Sequence, residues 1–152
     1  MNSVLQQLEN QFLKESSGKT RIGYLCLRSP VESIEALDAI PLRITPRAGF
    51  APNEYTRIRP DGCSFCRMAP SILELDYYRD LTAVIGGACC DQNRRVMDTL
   101  QRDMNIPALF YGAPRTWDVD RGYYYREMQN KYRELENIIG RKITPDTLRD
   151  KI

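Results

Sequence analysis

No histidine occurs anywhere in the 152 residues. That absence removes Ser–His–Asp and Cys–His catalysis, histidine-ligated zinc and any imidazole proton shuttle. A metal would have to be held by cysteine or carboxylate, and acid–base work would fall to carboxylates, tyrosine, lysine or cysteine. Long apolar runs are missing too: nothing approaches the roughly 18 residues that a membrane span needs. Residues 1–16 are amphipathic, carry Glu9 and Glu15, and lack the apolar core of a secretion signal. A cytoplasmic protein is the expectation. Charge of one sign is scarce as well. The net charge is only +2 and the arginines are scattered, so charge alone gives no reason to expect nucleic-acid binding. There is no internal repeat and no low-complexity segment.

What is there suits one α/β domain spanning 1–152. Apolar residues make up 42% of the chain, enough for a real core, and the charged 28% is mixed in sign, as on a solvated surface. Leu5, Leu8, Phe12 and Leu13 recur at helical spacing over 1–16, and Gly18 is placed to stop that helix. Residues 21–27 read as a buried strand. Ser29-Pro30-Val31-Glu32 then predicts a helix start, with Ser29 as cap, Pro30 at the first position and Glu32 closing a capping box. That helix runs to about 39 with Ile34 and Leu37 inward, and 41–45 forms a second strand.

Residues 46–60, with three prolines and no periodic pattern, predict a long loop of the kind that often carries function. A helix follows over 64–75 with Pro70 inside it. Residues 81–88 form a third strand ending at Cys89-Cys90, with Asp91 placed to cap a helix that buries Val96, Met97, Leu100 and Met104. Residues 107–111 form the fourth strand. A long helix over 119–139, with Tyr125, Met128, Tyr132, Leu135 and Ile139 as its apolar stripe, stops at Gly140, and Thr144-Pro145-Asp146 opens a last short helix. Strands alternating with helices predict a four-stranded parallel sheet with helices on both faces, Rossmann-like or flavodoxin-like. In such sheets ligands bind beyond the carboxyl ends of the strands.

Five cysteines occur: Cys26, Cys63, Cys66, Cys89 and Cys90. An odd count without a secretion signal argues against a disulfide framework. Cys63-Ser64-Phe65-Cys66 opens one helix and Cys89-Cys90 precedes another, so both pairs fall at one rim of the expected sheet. A helix N-terminus lowers a thiol pKa, and the thiolate is the form that binds metal. Arg67, Arg94 and Arg95 stand close by to favour ionisation. Apolar packing is the plainer reading for Cys26, inside the first strand, and also for Cys66 and Cys89. Zinc fits less well, because a second knuckle is missing and adjacent cysteines on a strand end diverge. A thioredoxin-like pair would follow the first strand, not an irregular loop. Gly86-Gly87 is no dinucleotide fingerprint and reads as close packing at a strand end. Tyr123-Tyr124-Tyr125 reads as a core-packing and exposed helix face, and Trp117 as a loop anchor.

A set of motifs runs in order along nearly the whole chain. It begins with Gly23-Tyr24-Leu25-Cys26, Pro30-Val31-Glu32 and Ala39-Ile40-Pro41-Leu42-Arg43-Ile44. Cys63-Ser64-Phe65-Cys66-Arg67 and Cys90-Asp91-Gln92-Asn93-Arg94-Arg95 follow, then Pro107-Ala108-Leu109-Phe110 and Ala113-Pro114-Arg115. It ends with Tyr125-Arg126-Glu127 through Gly140-Arg141-Lys142-Ile143-Thr144. Together they resemble the 2-hydroxyacyl-CoA dehydratase D-component family, which includes the benzoyl-CoA reductase subunits.

The resemblance implies a two-subunit enzyme of α/β domains in which each subunit carries a four-iron, four-sulfur (4Fe-4S) cluster on three cysteines. Electrons come from a separate ATP-dependent activator protein, and an acyl-CoA thioester is reduced to a ketyl radical that loses its hydroxyl group. Cys63 and Cys90 take the places of two cluster ligands. This chain resembles only the N-terminal half of the family's longer subunits; the third ligand and much of the substrate pocket belong to a second domain. Cys66 stands where the family often has alanine, and Cys89 is an added neighbour; both are possible additional ligands. The implied partners are a second dehydratase or reductase subunit, or a separate C-terminal half, with the activator and an acyl-CoA substrate. Full activity is not expected from this chain alone. The alternatives are a non-catalytic iron–sulfur carrier or assembly partner, and a plain α/β interaction domain with buried cysteines.

Overall fold

Alternating apolar segments at strand and helix periods resolve into ten elements in the computed structural model, which describes residues 4–46, 58, 61–112 and 121–152. In chain order they are α1 (Val4–Glu15), β1 (Arg21–Tyr24), α2 (Val31–Ala36), β2 (Ile40–Arg43), α3 (Ser64–Leu73), β3 (Ala83–Gly87), α4 (Asp91–Arg102), β4 (Ala108–Tyr111), α5 (Arg121–Ile139) and α6 (Pro145–Arg149). A short 3-10 turn, Asp76–Tyr78, lies between α3 and β3. The four strands form one sheet in the order β2-β1-β3-β4, and every pairing is parallel. The expected fold class is therefore the observed one. Most of the loop over 46–60, the Ala113-Pro114-Arg115 segment, Trp117 and the first residues of the predicted long helix lie outside the described residues.

Strand side chains alternate between two cores. Val84 and Leu42 face α3 and α4, joining Cys66, Ala69, Ile72, Leu73, Val96, Met97 and Leu100. Ile22, Ala83 and Ile85 face the other way, onto Ile34 and Leu37 of α2 and Met128 and Leu135 of α5. Each fully buried large aliphatic contributes about 1.5–3 kcal/mol relative to an exposed one, so the sheet is stabilised from both faces. The two glycines at the end of β3 allow close packing. A Cβ on Gly86 would lie 2.7 Å from Met97 Sδ, and one on Gly87 would lie 3.0 Å from both Cζ and the hydroxyl oxygen of Tyr111.

Several local expectations are corrected. Pro30, not Ser29, sits at the N-cap of α2, and no side-chain capping bond forms there. Glu32 closes no capping box; the nearest side-chain bond is from Ser33 Oγ to the Pro30 carbonyl at 2.6 Å. Cys90, not Asp91, caps α4. On α5, Tyr125 is 63% exposed and falls outside the apolar stripe, which Tyr124 joins in its place. On α1 no residue is buried; Leu5 and Leu8 stay mostly in solvent, and Phe12 meets Tyr77 at a ring distance of 5.4 Å. The final helix is capped by Thr144, whose Oγ1 accepts from the Thr147 N–H, with Pro145 in the first turn.

The ends of the sheet differ. Before the strands, three non-glycine residues adopt the left-handed conformation: Asp38 (φ 56°) before β2, Asp80 (φ 64°) before β3 and Asn105 (φ 55°) before β4. Beyond the strands lies the cysteine rim. No helix among the described residues is long and apolar enough to cross a membrane.

Candidate functional site

With order β2-β1-β3-β4, the connection after β1 runs to one side and later connections run to the other. The switch falls between β1 and β3, the place where parallel sheets open a crevice beyond their carboxyl ends. Cys26 stands two residues past Tyr24, the last residue of β1, and Cys89 stands two past Gly87, the last of β3. Cys90 begins α4 and Cys63 begins α3, the helices packed beside those strands.

All five cysteines gather at this rim as free thiols. Cys63 is the exposed N-cap of α3. Its sulfur closes no regular capping bond, but the N–H groups of Cys66 and Phe65 point at it. The Cys66 N–H lowers the Cys63 pKa most, burial opposes it, and the Phe65 N–H and Cys66 thiol add to the lowering. Cys66, one turn along, is 3% exposed within the α3/α4 core. Its thiol is pushed up to about 12, first by burial and then by the nearby sulfurs of Cys63, Cys90 and Cys89.

Cys90 is exposed, and its Sγ accepts the Asn93 N–H at 3.3 Å. The Cys89 Sγ turns from it toward the Gly87 carbonyl at 3.4 Å. Burial raises the Cys89 pKa most, and a hydrogen bond with Cys26 raises it further. Cys26 is therefore not a strand-interior packing residue; it lies past the end of β1, half-buried, against Cys89.

Asn93 was not singled out from sequence. It is 4% exposed, and its Nδ2 donates to the Gly87 carbonyl at 2.6 Å and reaches Cys89 Sγ at 3.6 Å. One side chain and its own N–H thus hold both adjacent cysteines and the strand end. The signal was its place three residues after Cys90, where an N-cap side chain meets the helix backbone. The hydroxyls of Ser29 and Tyr111 were missed as well. Both are buried without a hydrogen-bond partner; they face each other, and Tyr111 lies near Cys26 and Cys89. Burial first, then those neighbours, raise the Tyr111 pKa, while Ser29 counters them.

Two of the three arginines are engaged with other side chains. Arg94 stacks over the Phe110 ring with its guanidinium carbon 5.2 Å from the centroid, and Arg95 pairs with Asp98 at 3.8 Å. The lowering of the Cys63 pKa comes from backbone N–H groups instead. Among the described residues no three cysteine or carboxylate side chains stand together as a metal-binding group.

The fold and this rim define a parallel α/β domain with thiols grouped at its topological switch point. A family model, that of the 2-hydroxyglutaryl-CoA dehydratase D-component, matches residues 26–152. The chain belongs to that family. No curated protein matches it.

Proposed function

We propose that this chain is the cluster-binding part of a 2-hydroxyacyl-CoA dehydratase-like or benzoyl-CoA reductase-like enzyme, with Cys63 and Cys90 as two ligands of a four-iron, four-sulfur cluster. The observation that carries this reading is the placing of two exposed thiols at the starts of two neighbouring helices, on one rim, in a chain of this family. Thiolates are the ligands such clusters take, and N–H groups directed at the sulfurs tune them. The donor chemistry of Cys63 and Cys90 fits that of cluster ligands. A second subunit or a separate C-terminal half supplies the remaining ligand and the rest of the acyl-CoA pocket.

Each rim residue then has a role. The Cys66 and Phe65 N–H groups favour the thiolate form of Cys63. Asn93 fixes the direction of Cys90 through its N–H and of Cys89 through its amide. When bound, the cluster supplies one-electron chemistry, with an ATP-dependent activator protein as the electron source.

Anaerobic reconstitution of the full chain with iron, sulfide and excess reductant tests the reading. The expected product is brown and retains iron and acid-labile sulfide. Cys63→Ser and Cys90→Ser should each lower retained iron several-fold. A colourless, iron-free wild-type product would rule the reading out.

A further inference from the structure

The ligand pair leaves one member of the α3 motif unused. Cys66 sits at the third helical position, three residues after the N-cap Cys63, and each thiol acts on the ionisation of the other. Cα atoms three residues apart at a helix start lie about 5 Å from each other, within the roughly 4.4–6.8 Å that a disulfide spans. The two thiols are unequal in access: Cys63 is exposed, whereas Cys66 is 3% exposed beneath it. The protein's other contacting pair, Cys26 and Cys89, lacks this arrangement, because the Cys89 sulfur is engaged by the Gly87 carbonyl and the Asn93 amide.

We propose that Cys63 and Cys66 form a thiol–disulfide couple that reacts with low-molecular-weight disulfides such as oxidised glutathione. The reading does not depend on cluster binding, although a closed disulfide would withdraw Cys63 from any metal. The asymmetry sets the order of events. The Cys63 thiolate attacks one sulfur of the small disulfide, whose S–S bond breaks and releases one small thiolate. Cys63 is then joined to the other half as a mixed disulfide. Cys66, too buried to meet an external disulfide, loses its proton and attacks the Cys63 sulfur, releasing the second small thiolate. Two protein thiols are oxidised to one disulfide, one small disulfide is reduced to two thiols, and the two protons end on the released thiols. The Phe65 and Cys66 N–H groups face the sulfur that serves as nucleophile in the first step and as the centre attacked in the second.

The test uses the full chain, reduced, free of iron and kept anaerobic. It is mixed with oxidised glutathione, quenched with acid and an alkylating agent, and mapped by peptide mass spectrometry. The expected result is loss of two thiols together, a Cys63–Cys66 linkage and no retained glutathione. Cys66→Ala should instead accumulate glutathione on Cys63. Cys63→Ser, at an exposed position that leaves packing intact, should keep Cys66 reduced. Persistent glutathione on wild-type Cys63, a Cys26–Cys89 linkage with Cys63 and Cys66 still reduced, or no reaction would each overturn the proposal. Iron uptake by the reduced chain is a separate measurement, so failure of the cluster reading leaves this result standing, and the converse also holds.

Discussion

Cys63 and Cys66 carry the same side chain and touch, yet their protons are held with opposite strength. N–H groups draw the charge onto Cys63, whereas the apolar surroundings of Cys66 resist it. The consequence reaches stability. An unfolded Cys66 titrates near 9.0, and the folded one is pushed up to about 12. Above 9.0 the native chain therefore keeps a proton that the unfolded chain releases, and stability falls as pH rises. The contribution is complete below 9.0 and disappears toward 12. Tyr111 and Tyr132, also raised by burial, act in the same direction. Urea unfolding followed from neutral to alkaline pH should show the wild-type midpoint dropping past 9.0 and a shallower drop in Cys66→Ala; parallel curves for the two proteins would contradict this account. The contrast between the thiols was only half legible in sequence. A Cys-x-x-Cys at a helix start announces itself, but which sulfur is buried depends on how α3 rolls onto the sheet. Cys26 and Tyr111 escaped for the same reason: each sits at a strand end, where burial is set by neighbours distant in sequence.

Helix starts decide the site, and they behaved unevenly. Thr144-Pro145 produced the capped α6 that its residues announce. Ser29 and Glu32, with equally good credentials, capped nothing, because Ser29 was drawn inward toward Tyr111 at the end of β4. At α4 a sulfur took the cap from Asp91, an outcome that residue preferences for oxygen caps do not anticipate. There Asn93 matters most. Asn93→Ala would strip the buried Gly87 carbonyl of its 2.6 Å donor, leaving it only the weak Cys89 thiol at 3.4 Å, and would remove one of the contacts that hold the Cys89 sulfur. An unsatisfied buried group costs about 1–3 kcal/mol. Chemical denaturation should register that loss together with faster alkylation of Cys89, and an unchanged midpoint would show that the bracket contributes nothing. The existence of β3, a continuous apolar run, was readable from the chain, but its bounds were not: 81–88 was expected and Ala83–Gly87 is observed. The retreat of β1 to Arg21–Tyr24 was not, since Leu25 still donates to the Ile85 carbonyl and looks strand-like in sequence.

Across the whole molecule, alternation of strand and helix was enough to read the parallel sheet, because a parallel connection must cross a face and each crossing here is a helix or loop of sufficient length. The order β2-β1-β3-β4 was not readable; it follows from which faces α2 and α3 cover. That order leaves the two ends of the sheet with separate duties. One end gathers the thiols. The other carries Asp38, Asp80 and Asn105 in a conformation that costs a side-chain-bearing residue about 1–2 kcal/mol, somewhat less for Asn and Asp. Asp38 and Asp80 recover part of this through Arg141 at 2.8 Å and Arg21 at 3.5 Å. Asn105→Gly should raise the thermal midpoint by an amount equivalent to about 0.5–1 kcal/mol, with thiol reactivity at the rim unaltered; a lowered midpoint would refute the strain. The chain can thus be toughened from its quiet pole, so that any change in chemistry seen after mutating the thiol pole can be separated from a loss of robustness.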